Sequence, residues 1–165
     1  RRLTREGVGQ GVHVRTDEMR PVLLWCGGLG SAEAHQVLRK CAEVRGMSFG
    51  ETQAGTGAIE WTHELNLGGR GTTGGIAANK LAHEADVVIG VGTRYTDFTT
   101  ASKWLYRTDA KFVNINPSEF QAYKMYATPV VADANKAPTA IGEEPKKIGY
   151  QTDDEYAKTV TAYRK

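Results

Sequence analysis

Short apolar runs that end at glycines constrain the fold of this chain more than any other feature of its sequence. Pro21-Val22-Leu23-Leu24-Trp25-Cys26 runs into Gly27-Gly28-Leu29-Gly30, and Asp86-Val87-Val88-Ile89-Gly90-Val91 runs into Gly92-Thr93-Arg94. A short run that is apolar at nearly every position, instead of at alternate positions, is typical of a parallel strand with both faces covered. We therefore expect a parallel sheet with a layer of helices on each side.

The chain alternates such strands with segments of helical spacing. The segment from Ser31, a suitable N-cap, to Gly46, a suitable terminator, carries apolar residues at helical spacing. The residues alone predict strands at 21–26, 47–49, 86–91, 111–116 and 128–132. They predict further helices around 76–82, from 118, and over 153–165. This succession predicts an α/β fold with an open, Rossmann-like parallel sheet and helices on both faces.

The composition excludes several classes of function. A net charge of +2 over 165 residues is too small to indicate binding to nucleic acid or to an anionic membrane surface, and no apolar run approaches the length of a membrane span. Cys26 and Cys41 lack metal-ligand spacing, so we interpret them as core residues in a reducing compartment and expect a cytoplasmic location. The chain begins with Arg1-Arg2 and lacks signal-peptide features, and we expect it to be a piece of a longer protein.

The predicted strands end at residues suited to binding a nucleotide. In a sheet of this kind, ligands bind at the carboxyl ends of the strands. Glycine amides at the start of a helix bind phosphate, an arginine adds a charged fork, and Asn or Asp accepts from ribose hydroxyls. The candidate cofactor-binding residues at this edge are Gly27, Gly28, Gly92, Thr93, Arg94, Asn114 and Asp133.

Simpler explanations stay open for the same residues. Glycines often follow strands only because the chain turns tightly there. Neither Gly28-Leu29-Gly30 nor Gly90-Val91-Gly92 continues into the full G-x-G-x-x-G pattern of dinucleotide sites. Arg94, in turn, has a nearby carboxylate, Asp97, with which it can pair.

Few residues suggest catalysis. His35, His63 and His83 are spaced without a metal motif, and no Ser, His and Asp arrangement indicates a nucleophile. Glu51 follows a strand in a glycine-rich setting, where it is either a base or a solvated loop residue. The residues alone therefore predict a nucleotide-type α/β domain without an active site of its own.

The order of the motifs resembles a known family. Glu51–Thr100 and Ala110–Ala134 are similar to the middle domain of thiamine-diphosphate-dependent enzymes, and the resemblance extends over about Pro21–Ala134. Within that superfamily, the chain more specifically resembles the trihydroxycyclohexanedione hydrolases of myo-inositol breakdown. The motifs that carry this second resemblance are Glu51-Thr52-Gln53-Ala54-Gly55, Leu65-Asn66-Leu67-Gly68, Ala77-Ala78-Asn79, Gly92-Thr93-Arg94 and Asp97-Phe98-Thr99-Thr100.

The resemblance implies a sheet of about six strands and a division of labour between domains. In some members, such as acetohydroxyacid synthases, the middle domain binds FAD at the carboxyl edge of its sheet, whereas in others the cleft is empty or holds another nucleotide. Thiamine diphosphate and Mg²⁺ are held by flanking pyrimidine- and diphosphate-binding domains, which this chain lacks. Residues 1–20 would then be a linker or extension, 21–137 the middle domain, and 138–165 a loop and helix leading to the next domain.

The resemblance also implies a function for the full-length protein. We expect a homo-oligomeric, thiamine-diphosphate-dependent hydrolase of a carbon–carbon bond, in which this segment is structural, contributes no catalytic or metal-binding residue and is inactive alone. Two alternatives stay open. One is the central domain of a carboligase similar to acetohydroxyacid synthase, with bound FAD, and the other is a stand-alone nucleotide-binding module.

Overall fold

A six-stranded parallel sheet forms the centre of the molecule. The computed structural model describes residues 22–27, 32–134 and 154–164 of the chain. The strands are β1 Val22–Cys26, β2 Ser48–Glu51, β3 Asn66–Gly69, β4 Val87–Val91, β5 Lys111–Asn116 and β6 Thr128–Val131. They lie in the order β3-β2-β1-β4-β5-β6, and each neighbouring pair is parallel. The predicted Rossmann-like sheet is confirmed.

Helices connect most of these strands. Within the described ranges they are α1 Ala32–Arg45, α2 Ile76–Glu84, α3 Asp97–Thr100, α4 Glu119–Ala122 and α5 Asp154–Arg164, with 3₁₀ turns at Gln53–Gly55 and Lys124–Tyr126. Of these helices, α1, α2, α4 and α5 lie where the sequence predicted them, whereas α3 and the strand β3 were not predicted from the residues. No helix in the described ranges is both long and apolar enough to cross a membrane.

Both faces of the sheet are buried, which explains why the strands are apolar at successive positions. On one face, α1 and the loop after β2 cover a core that includes Leu38, Phe49 and Ile115. On the other face, α2 and α5 cover a second core that includes Leu81 and Phe112. Because side chains alternate along a strand, a strand with core on each side needs apolar residues at every position.

The order of the strands creates a switch point between β1 and β4. The chain builds β2 and β3 on one side of β1, then returns to build β4, β5 and β6 on the other side. The last residues of the two central strands, Cys26 and Val91, are partners in register. Crevices at such reversals are where open α/β sheets bind ligands, because the loops leave the two strands in opposite directions.

The C-terminal helix α5 packs on the same domain. The Tyr156 hydroxyl donates to Ser48 Oγ at 2.7 Å and accepts from the Ser48 N–H at 3.1 Å. The Tyr163 hydroxyl donates to the carboxylate of Glu84 at 2.6 Å. Buried Val160 adds an apolar contact to the second core. The predicted domain boundaries near 20 and 137 lie outside the described residues and stay predictions.

Candidate functional site

Two of the predicted glycine turns touch at the switch point. The Gly27 N–H donates to the Val91 carbonyl at 2.8 Å, and the Gly92 N–H donates to the Ile115 carbonyl at 2.9 Å. A methyl group on Gly27 would overlap the Gly92 carbonyl and lie 2.7 Å from the Thr93 Cα. Gly92 itself has a φ of +66°, which favours glycine. Close packing and turn geometry therefore account for both glycines, and both amides are already used in the sheet. Gly28 lies outside the described residues.

Thr93 and Arg94 follow directly and differ in exposure. Thr93 is buried, and its carbonyl accepts from Asn116 Nδ2 at 3.1 Å. Arg94 is exposed, and its carbonyl accepts from Lys124 Nζ at 2.9 Å. Within the described residues the Arg94 guanidinium forms no salt bridge, so the pairing with Asp97 that we considered is wrong. The side chains of Asn116 and Lys124 therefore hold the backbone of the turn, and Arg94 is exposed.

Asn114 does not reach the carboxyl edge. It lies two residues before the end of β5, in register with Gly90, and is only 2% exposed. Its Nδ2 donates to the Lys124 carbonyl at 2.9 Å, and its Oδ1 has no hydrogen-bond partner in the described part of the chain. Asn116 ends the strand instead. Asn114 thus supports the 3₁₀ turn at Lys124 through this hydrogen bond, and its predicted role in binding a cofactor stays a prediction.

Asp133 lies further along the same edge. It is exposed and follows β6, the outermost strand on that side. With strands about 4.8 Å apart, the end of β6 lies roughly 10 Å from the end of β4. The structure therefore brings Gly27, Gly92, Thr93 and Arg94 together and leaves Asp133 separated from them by β5.

Glu51 is buried and fully engaged, which the sequence did not predict. Because β2 extends through it, Glu51 ends the strand beside β1 rather than lying in a loop. Its carboxylate accepts from the Gly57 N–H at 3.3 Å and the Ile59 N–H at 3.2 Å. Asn66 supports the same loop by donating to the Ile59 carbonyl at 3.1 Å. Glu51 therefore orders a loop and is neither solvated nor placed as a base.

A buried arginine and two buried tyrosines form a second polar cluster. Arg70, which follows β3, donates from Nη1 to the Tyr106 hydroxyl at 2.6 Å. Burial raises the pKa of both Tyr95 and Tyr106, and the nearby Arg70 charge opposes that shift. The Tyr95 hydroxyl lies against Gly90, where a methyl group would overlap it. Both tyrosines stay neutral at physiological pH and act as packing groups with a polar end.

The loop after β3 is attached to α3, the short helix that follows β4. Asn79 accepts from the Gly71 N–H and donates to the Gly71 carbonyl, both at 3.0 Å. Gly71 has a φ of +98° and packs against the Phe98 carbonyl, which also accepts from the Thr72 N–H at 3.0 Å. Asn79 belongs to the Ala-Ala-Asn motif that carried the family resemblance. Its side chain supports the loop at Gly71 and not a ligand.

Comparison with known protein families now identifies the fold. Residues 16–141 match the family model described as "Thiamine pyrophosphate enzyme, central domain". The chain belongs to this family. A central domain of this kind agrees with the six-stranded parallel sheet and its switch point between β1 and β4.

Several curated relatives align with nearly the whole chain. The protein named 3D-(3,5/4)-trihydroxycyclohexane-1,2-dione hydrolase of Bacillus cereus (strain AH820) is 49% identical over 150 residues, which are 90% of this chain and 23% of the relative. Hydrolase 2 of Bacillus cereus (strain ZK / E33L) shows the same identity and coverage. The enzyme of Bacillus thuringiensis (strain Al Hakam) is 47% identical over the same shares. This central domain therefore spans about a quarter of the length of the relatives it matches.

The described residues of this central domain do not fit a site for Mg²⁺. They contain no group of three or more His, Cys, Asp or Glu side chains able to hold a metal ion. Glu51, a buried carboxylate at the carboxyl edge, is occupied by two backbone amides. His63 is likewise engaged, with Nε2 3.0 Å from Glu43 and Nδ1 accepting from the Leu65 N–H at 3.2 Å. Mg²⁺ requires carboxylate oxygens that are free to bind it.

Proposed function

We propose that this chain is the central domain of a longer thiamine-diphosphate-dependent hydrolase, which opens the ring of a trihydroxycyclohexanedione in myo-inositol breakdown. The observation that carries this proposal is the 49% identity over 90% of the chain with proteins named for that reaction. The match covers nearly the whole chain and not only a few motifs. It therefore supports a shared parent enzyme and not only a shared fold.

In this proposal the central domain contributes architecture and not chemistry. Thiamine diphosphate supplies the electron sink that breaking a carbon–carbon bond next to a carbonyl requires. The cofactor and Mg²⁺ would be held by pyrimidine- and diphosphate-binding domains elsewhere in the longer polypeptide, which would act as a cytoplasmic homo-oligomer. The described residues would keep these domains apart at a fixed distance, since Gly27 and Gly92 lock the two halves of the sheet together.

Comparing the segment with its natural polypeptide tests this proposal. Mass spectrometry of the native product should show a protein several times the 18.0 kDa of this chain. The native protein should consume the cyclic dione and release a ring-opened acid only when thiamine diphosphate and Mg²⁺ are present. The 165-residue chain should do neither and should give no heat of thiamine diphosphate binding in calorimetry. Measurable affinity of the short chain for the cofactor would overturn the proposed division of labour.

A second candidate function is nucleotide binding at the turn after β4. The observation that favours it is the exposed Arg94 guanidinium, which forms no salt bridge within the described residues and lies beside the switch point. FAD, NAD or ADP at a hundred times its dissociation constant should stabilise the domain by about 2.7 kcal/mol. That corresponds to a rise in melting temperature of about 5–10 °C for a domain of this size.

Two arginine variants make the nucleotide test specific. Arg94→Ala should abolish the thermal shift if the turn is the site. Arg107→Ala is the matched control, because Arg107 is also exposed but pairs with Asp86 and Asp109 before β4 and β5, at the opposite edge of the sheet. If both variants keep the rise in melting temperature on addition of nucleotide, the nucleotide binds elsewhere. A flavin absorbance spectrum in the purified native protein would favour the carboligase alternative.

A further inference from the structure

Three aromatic side chains form an exposed surface beside the candidate site. Phe120 in α4 is 74% exposed, Tyr123 is 59% exposed, and Tyr126 in the following 3₁₀ turn is fully exposed. Val131 in β6 is 44% exposed, faces the side of the sheet opposite to buried Val130, and belongs to the strand against which α4 packs. We call these four residues the aromatic face. Contiguous apolar surface of this kind marks an interaction site in a folded protein.

The backbone that carries the aromatic face is tied to the rest of the domain by hydrogen bonds, although the rings contribute little to the core. The Lys124 carbonyl accepts from buried Asn114, and Lys124 Nζ donates to the Arg94 carbonyl, both at 2.9 Å. Met125 and Tyr126 then adopt φ values of 63° and 53°, a left-handed conformation that costs about 1–2 kcal/mol per residue outside glycine. Met125 packs toward the second core while Tyr126 points to solvent. Strain that orders exposed aromatic rings reduces the entropy lost when a partner binds them.

The size of the aromatic face favours a contact between domains over a dimer of this segment. Its three rings expose roughly 350–600 Å². A stable complex of separate proteins buries about 800 Å² on each partner, whereas interfaces between domains of one chain begin at roughly 300 Å² per side. Pro129 also lies in β6, and proline in an edge strand disfavours association of one sheet edge with another. The matched relatives, in turn, have about three-quarters of their length outside the aligned region.

We propose that the aromatic face is the surface on which another domain of the same longer polypeptide docks. This inference rests on the proposed function, since it requires a parent chain with further domains. The docking surface of that domain would be apolar at its centre, with carbonyl or carboxylate oxygens at its rim. Those oxygens would accept from the Tyr123 and Tyr126 hydroxyls, and a carboxylate would also meet Lys124, whose Nζ lies 5.3 Å from the centre of the Phe120 ring.

A photo-crosslinking amino acid in place of Tyr126, introduced into the longer polypeptide, tests the inference. Positions 126 and 108 below keep the numbering of this chain. Mass spectrometry should find cross-links from position 126 to residues of the same polypeptide outside this segment, without a change in apparent mass. The matched control is position 108, which is also exposed but lies between the ion-paired residues Arg107 and Asp109. Position 108 should yield at least fivefold fewer such cross-links. Cross-links that join position 126 of two copies, or no excess over position 108, would overturn the inference.

Adding a negative charge to the aromatic face gives a second, independent measurement. Tyr126→Glu should leave the melting temperature of the 165-residue chain within 1–2 °C of the parent value, because a fully exposed side chain contributes little to the fold. In the longer polypeptide the same variant should raise hydrogen exchange of 118–127 severalfold, because its carboxylate would face the oxygens of the docked domain, whereas Thr108→Glu should not. Equal exchange in both variants would contradict docking. Ring-opening activity is measured separately, so an active enzyme without docking at this surface would refute the inference and leave the proposed function standing.

Discussion

The contact between Gly27 and Gly92 gives the sharpest prediction. Replacing Gly27 with Ala places a methyl group against the Gly92 carbonyl and the Thr93 Cα, which are backbone atoms at the centre of a parallel sheet. Over-packing a buried site costs about 1–3 kcal/mol, and we expect the upper end because no side chain can rotate away. Gly27→Ala should therefore lower the free energy of unfolding by about 3 kcal/mol and the melting temperature by about 6–12 °C.

Two further glycines provide matched controls. Gly69 has no atom within 4 Å of an added methyl group and no left-handed φ, so Gly69→Ala should be neutral or stabilise by about 0.5 kcal/mol. Gly57 also has free space but a φ of +87°, so Gly57→Ala should cost about 1 kcal/mol through conformation alone. Urea denaturation followed by far-ultraviolet circular dichroism measures all three variants.

The order of these three effects decides between packing and ligand binding. If Gly27 is a glycine because two strand ends meet, Gly27→Ala is the most destabilising of the three. If Gly27 is a glycine only because a phosphate approaches it, Gly27→Ala unfolds like Gly69→Ala and instead weakens nucleotide binding. A difference below about 0.5 kcal/mol between those two variants would refute the close approach of the turns at the switch point.

Three other side chains make separate predictions. Glu51→Gln should cost about 1–2 kcal/mol, because one of the two backbone amides in the following loop loses its acceptor and the other keeps only a neutral one, and limited proteolysis of that loop should accelerate. Tyr156→Phe should cost a similar amount in urea denaturation, since Ser48 loses both hydrogen bonds to the hydroxyl. The hydrogen bond to Glu84 raises the pKa of Tyr163 to about 12. The stabilisation that goes with this raised pKa is fully present below the ordinary tyrosine value near 10 and is lost between pH 10 and 12. The free energy of unfolding should therefore fall in that window, and Tyr163→Phe should remove that fall.

Sequence patterns were sufficient to predict a strand where burial alone decides its structure. The strand β4 is apolar at nearly every position because both its faces are covered, and a single sequence shows this directly. The edge strand β3 reads Asn-Leu-Gly-Gly and carries no such pattern. It pairs with β2 because tertiary contacts hold it there, including a bond from the Phe49 N–H to the Leu65 carbonyl at 3.0 Å. Local propensity did not contain that information.

The candidate site was predictable in its position and not in its details. Parallel topology places all carboxyl ends of strands on one edge, so the meeting of Gly27 and Gly92 followed from the order of elements. The ends of β1, β4 and β5 were predicted at residues 26, 91 and 116, where the structure has them. The end of β2 was missed, because it lies at Glu51 and not at residue 49. Asn114 was assigned to the edge although it lies two residues inside β5. A shift of one or two residues decides whether a side chain lines a cleft or packs in the core.

Lys124 connects the two surfaces of this domain that have an unassigned role. Its carbonyl is held by Asn114, its ammonium group binds the Arg94 carbonyl, and the same group lies over Phe120 of the aromatic face. The Arg94 turn and the aromatic face therefore share one anchor and cannot shift independently by much. A domain that docks on Tyr126 would restrain this lysine and, through it, the backbone at Arg94. The edge of the sheet thus links the place where a ligand would bind to the place where a neighbouring domain would rest, through contacts already present in the segment alone.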